Sequence, residues 1–169
     1  MKKTWWRVPV YCLAASWICF HLEVHWLLRF AIVTLPDGSI SSDSTRSLII
    51  YGILFFAVLL IGGLLFFRKI SRKELLLSAF LMIVLDFYMM LKAWNDQGLL
   101  AFYWAELTEW SVFISQLFYV LGMDLENLLP RVLRALAPLL FVAFGRGRNP
   151  MAAVEAEKLP EQQTDKQED

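Results

Sequence analysis

The chain has 169 residues with 16 basic and 16 acidic side chains, and 58% of its residues are hydrophobic. Zero net charge excludes the basic global field that non-specific nucleic-acid binding needs, and the hydrophobic share exceeds the ~45–50% usual for soluble domains. The apolar residues come in long runs rather than periodic stripes, so residues 1–145 are expected to form one polytopic membrane domain.

The first predicted element begins after Lys2, Lys3 and Arg7. These resemble the positive start of a secretory signal, but no small-x-small cleavage pattern follows and apolar sequence continues to Leu35. An uncleaved signal anchor is therefore expected. Taken as one helix over 8–35 it measures ~40 Å against a ~30 Å hydrocarbon core, so it must tilt or project. Its second half carries His21, Glu23, His25 and Arg29. Pro36-Asp37-Gly38-Ser39 then turns the chain into a polar loop.

The second span, 48–67, has twenty residues and no charge. Gly62-Gly63 near its end would permit close helix approach, although glycine is common in membrane helices for no specific reason. Arg68, Lys69, Arg72 and Lys73 follow, a cluster that marks a cytoplasmic loop. It would also attract anionic lipid, but orientation alone accounts for it. The third span, 75–94, carries Asp86 ~16 Å along its length, near mid-bilayer. Lys92 is close enough to the far end to snorkel.

From residue 93 to 130 there is no Lys or Arg, while Asp96, Glu106, Glu109, Asp124 and Glu126 lie within it. Such a stretch fits the outer side. Arg146 and Arg148 then argue for a cytoplasmic C-terminus. An odd number of crossings must lie between. The preferred one is 128–144, with Gly122-Met123-Asp124 breaking the helix before it, Pro130 in its first turn and Arg146 at its inner end. Arg131 and Arg134 would snorkel outward, and 99–122 would form an outer interfacial or re-entrant helix. The competing arrangement makes 110–129 the crossing. Trp5, Trp6, Trp17, Trp26, Trp94, Trp104 and Trp110 fall near run ends or in the outer half of the first, as an aromatic belt would. Residues 146–169 read as a disordered cytoplasmic tail; from 149 onward they hold six acids, two lysines and two prolines.

Candidate chemistry rests on few groups. Cys12 and Cys19, ~10.5 Å apart along one helix, are too far apart for a disulfide and read as small apolar fillers. His21 and His25 share a helix face with Trp17 and Arg29, while Glu23 points nearly the opposite way. An ionised carboxylate at the centre of a membrane helix costs ~2.5–3.5 kcal/mol, so Asp86 must face the bundle and find a partner or a proton. The expected cluster is His21, His25, Arg29 and Asp86, a clasp between the first and third helices or part of an ion path. Glu106 and Glu109, three apart, form a second candidate, an outer acidic pair whose commoner meaning is a solvated edge. The His-x₃-His spacing is not the zinc-protease pattern, and two histidines on one helix do not suit bis-histidine haem. No metal, cofactor or catalytic residue is assigned.

The expectation is thus an all-α integral membrane protein of the bacterial cell membrane. It would be a four-helix bundle with both termini cytoplasmic and an additional outer interfacial or re-entrant helix. Its role reads as non-enzymatic: a membrane subunit, scaffold or accessory factor whose partners are the lipid bilayer and another membrane protein or a second copy. The alternative is a small oligomeric transporter or channel-like subunit using Asp86 and the His21/His25 face.

Overall fold

The computed structural model describes residues 4–95, 103, 106–123 and 128–146. The expected tail beyond Arg146, the proposed break at Asp124 and the belt residue Trp104 lie outside them. The described chain is mostly helical, and three helices are long and apolar enough to cross a membrane: α1 (Arg7–Ala31), α2 (Ser44–Phe67) and Arg72–Lys92 within α3 (Arg72–Asn95).

α1 stops four residues short of the expected 8–35. Ile32–Thr34 (β1) instead pairs antiparallel with Ile40–Ser42 (β2). Three successive β-branched residues resist the helix, and the residue before Pro36 is pushed toward extended backbone. Gly38 closes the hairpin at φ +81°, a left-handed conformation that glycine adopts freely. The Asp37 carboxylate accepts hydrogen bonds from the Ser39 hydroxyl and amide, which hold its pKa below the usual range.

Asp43 caps α2, its carboxylate accepting from Thr45 N–H at 2.9 Å and Arg46 N–H at 3.1 Å. Asp43→Ala is expected to cost about 1 kcal/mol of stability and Asp43→Asn almost none, measured by unfolding the purified protein in detergent. Equal losses in both variants would show that the cap contributes nothing through its hydrogen bonds.

Beyond α3, a 3-10 turn (Glu109–Ser111) leads into α4 (Val112–Val120). α5 (Leu128–Leu136) continues as a 3-10 segment, Ala137–Phe144. The change is imposed by Pro138, which has no N–H for the Arg134 carbonyl and whose ring clashes with that group in an α-helix.

The contacts fix how the elements run past one another. Near the start of α1, Val8 N–H donates to Ser78 Oγ on α3 at 3.0 Å, and Ser78 Oγ donates to Trp5 O at 2.7 Å. At this same end Arg146 N–H donates to Ile70 O at 2.9 Å and Arg72 Nε to Gly145 O at 3.2 Å. Midway along α1, Ser16 Oγ donates to Leu107 O at 2.7 Å. Trp110 stacks on Phe55 of α2, with ring centroids 5.7 Å apart, and Phe113 on α4 packs over Gly52. α4 therefore begins near the middle of α2 and runs back toward its first turn. The 3-10 segment goes the other way: Phe141 meets Tyr11, Gly62 and Phe67, and Phe144 meets Gly63. The double glycine is thus used for close approach, which its commonness in membrane helices did not require.

Each long helix buries one stripe. On α1 it is Val8, Cys12, Ala15, Ser16 and Cys19, and both cysteines are free thiols. On α3 it is Leu75, Ser78, Ala79, Met82, Ile83, Asp86 and Met90, a 3.6-residue period with serine and aspartate inside it. The opposite faces are large and apolar: Ile53 is 66% exposed and Leu65 75%. Polar groups turned inward and aliphatic rows turned outward invert the arrangement of a water-soluble bundle.

Candidate functional site

The polar side chains on these stripes converge. Asp86 projects from α3 and is only 3% exposed; Arg134 projects from α5 and is 9% exposed. The Arg134 guanidinium donates to the Thr108 carbonyl at 3.0 Å and to Thr108 Oγ1 at 2.7 Å. Ser111 Oγ donates to the same carbonyl at 2.9 Å. Asp86, Glu109 and Tyr51 all lie within the electrostatic reach of Arg134. One planar cation thereby ties the Thr108 turn to α5 and faces carboxylates from α3 and from the Glu109–Ser111 turn.

A second group adjoins it on the side of the hairpin. Tyr51 on α2 donates its hydroxyl to the Glu23 carboxylate on α1, and the Glu23 carboxyl lies within electrostatic reach of Glu109. Glu23 opens a π-helical turn, Glu23–Leu27, and such widened turns often mark functional positions. α1 thus presents Ser16 and Glu23 to the interior from two different levels.

Of the sequence-derived candidates, only Asp86 and Glu109 enter this network. Among the described residues, the cation acting on Asp86 is Arg134, contributed by α5 rather than by α1. His21 and His25 stack on one another, with centroids 5.7 Å apart and planes 4° from parallel, and Trp17 meets His21 edge-on at 4.4 Å. His25 and Arg29 are exposed. Glu106 is half-buried, and both its charge and that of Glu23 act on Glu109. Arg134 does not snorkel as expected: the carbonyl and hydroxyl of Thr108 hold it inside. The residues missed were Glu23, Tyr51, Thr108 and Arg134. Glu23 and Arg134 carried a usable signal, since a charge inside an apolar segment normally faces the bundle. Tyr51 and Thr108 carried none.

Among the described residues, no group of three or more His, Cys, Asp or Glu side chains is placed to hold a metal ion. Asp86 lines neither of two cavities. The large cavity, about 740 Å³, lies elsewhere, between α1 and α2, and its lining includes no carboxylate. A small one of about 70 Å³ touches Glu23, Tyr51, Ser47 and Gln116. Compared with known protein families, curated proteins and solved structures, the chain matches none.

Proposed function

We propose that the protein is a non-enzymatic, multi-pass component of a cell membrane, a subunit, scaffold or accessory factor that works through lateral contacts, with the buried network as its internal clasp. The observation that carries this reading is the inverted arrangement of polarity: Asp86 and Arg134 are turned inward while rows of Ile, Leu and Phe face outward. A transport path would need an aqueous cavity at Asp86, and the large cavity is instead apolar and displaced from it. Glu23 in the small pocket, within electrostatic reach of Glu109, favours the alternative, a proton- or ion-conducting oligomer.

The reading includes four crossings and a re-entrant segment. The nine residues of α5 and the eight of the 3-10 segment together reach ~30 Å at their respective rises, which matches the hydrocarbon core. A uniform α-helix of that length would fall short, so the 3-10 geometry forced by Pro138 supports a short fourth crossing. Leu107 lies at the level of Ser16, and α4 runs from there toward the first turn of α2, which suits the returning arm of a re-entrant segment whose backbone is buried in protein. The Arg146 and Ile70 backbones meet, bringing Arg146 and the basic segment 68–73 to the Arg7 end. That coincidence supports placing this end, and both termini, in the cytoplasm.

The test uses single cysteines in a Cys12→Ala, Cys19→Ala background and a membrane-impermeant maleimide on intact cells. Ser39→Cys is expected to label directly, and Lys69→Cys and Arg146→Cys only after permeabilisation. Labelling of Lys69→Cys from outside would reverse the orientation, and opposite behaviour of positions 69 and 146 would remove the fourth crossing. Purification from native membranes in mild detergent is expected to retain a stoichiometric partner. Proton-dependent currents from the protein reconstituted without one would favour the alternative.

A further inference from the structure

The gap between α1 and α2 is bounded by side chains that do not close it. α1 packs against α3 and the Glu109–Ser111 turn, and α2 packs against α4. Between α1 and α2 stands a strut, the Tyr11 hydroxyl donating to Val58 O at 2.7 Å. Ala14, Ala15 and Ala57 line the groove with methyl groups only, while Val10, Ile18 and Ile61 are among its lining residues that stay about half exposed. The volume of about 740 Å³ falls within the ~300–1,000 Å³ typical of ligand pockets. The lining runs from Arg7 to Leu22 on α1, ~22 Å at helical rise, longer than the ~15 Å of one hydrocarbon leaflet. An apolar cleft left empty would forfeit the dispersion contacts of everything lining it.

The two ends of the groove differ. At the Arg7 end the exposed guanidinium of Arg7 and the exposed indole of Trp6 are themselves lining residues. Arg68 and Lys69 follow directly on two more, Phe66 and Phe67. An indole and a cation lining the mouth of an apolar groove, with two more cations next in sequence to its lining, match an anionic headgroup above a hydrocarbon chain. We infer that the groove between α1 and α2 is a binding site for an anionic phospholipid of the inner leaflet, its phosphate at Arg7 and one acyl chain along Ala14, Ala15 and Ala57. The site rests on the proposed membrane reading with the Arg7 end cytoplasmic, and it gives that reading a specific lipid partner. A second copy of the chain fits less well, because its helix would have to bring a matching negative charge to a basic mouth.

The full chain is reconstituted in phosphatidylcholine nanodiscs holding a minority of phospholipid with a photoactivatable diazirine in the acyl chain, either phosphatidylglycerol or phosphatidylcholine. Crosslinked peptides are mapped by mass spectrometry. Phosphatidylglycerol is expected to label residues 10–22 and 54–61 in excess of phosphatidylcholine, by about fivefold for each cation engaged. Arg7→Gln should abolish most of that excess. Ala57→Phe, which fills the groove, should lower labelling there by both lipids while leaving the outward-facing Ile53 and Leu77 labelled as before. Equal labelling by the two lipids, unchanged in Arg7→Gln, would overturn the site and leave ordinary annular lipid. Crosslinks from groove residues to a second chain would overturn it in favour of self-association. Absence of label at Ile53 and Leu77 would instead count against the membrane reading itself, so the two failures are told apart.

Discussion

Replacing Arg134 with alanine is expected to destabilise the folded protein by about 3–5 kcal/mol, the range for removing one partner from a buried charge pair. The loss has two sources. Thr108 loses two charge-assisted hydrogen bonds, to its carbonyl at 3.0 Å and its hydroxyl at 2.7 Å, while the carbonyl keeps the Ser111 hydroxyl, and a hydrogen bond to a charged group contributes about 1.5–3 kcal/mol. Asp86 and Glu109 lose the cation that faces them. Arg134→Lys should recover part of the loss, since an ammonium supplies the charge but not the planar fork that reaches both Thr108 atoms. Arg134→Met combined with Asp86→Leu should be less damaged than Arg134→Met alone, because one of the two carboxylates that faced the cation is gone. Equilibrium unfolding in mixed detergent micelles gives all four values. If Arg134→Ala unfolds at the same detergent composition as the unaltered protein, the network is not a clasp and the structural reading of Asp86 fails with it.

Hydropathy marks α1, α2 and α3 because lipid solvation demands about twenty apolar residues in a row, and uninterrupted runs leave little choice. It also marks Asp86 as inward-facing, since a carboxylate in an apolar run must be buried in protein. What it lacks is any rule for partners. Helical periodicity relates His21 to His25 and Arg29, which are neighbours along α1, but the cation facing Asp86 sits 48 positions later in the chain. Helical spacing points Glu23 away from His21, and that same direction turns it toward Tyr51 and Glu109. Ile32, Val33 and Thr34 count as apolar or neutral on a hydropathy scale, so the run masks a change of backbone preference from helix to strand. The 3-10 geometry of Ala137–Phe144 was legible in principle from Pro138, whose missing donor and ring exclude a continuous α-helix.

Gly63→Ala is expected to cost about 1–3 kcal/mol, the usual penalty for overpacking, far more than its single methyl group suggests. A Cβ at position 63 would enter the ring of Phe144, and one at position 62 would approach the rings of Phe141 and Tyr11 at 2.7 Å. The clash at 63 falls on Phe144 Cγ, the base of that ring, which turning the ring does not move, and Phe141 is held 5.0 Å from Phe67 and 5.5 Å from Trp110. The two glycines therefore set how closely the Ala137–Phe144 segment approaches α2. In a membrane, where helix association gains little from the hydrophobic effect, such close approach is a main source of contact energy. Phe144→Ala removes the obstacle, so Gly63→Ala and Phe144→Ala together should cost less than the sum of the two single changes, with the non-additivity reaching about 1 kcal/mol or more. Gly38→Ala is the matched control: nothing lies within 4 Å of its Cβ position, and Phe144→Ala should leave its cost unchanged. Strict additivity of the Gly63 and Phe144 changes would mean that the last segment is not docked on α2, which removes the proposed fourth crossing while leaving the first three helices as they are.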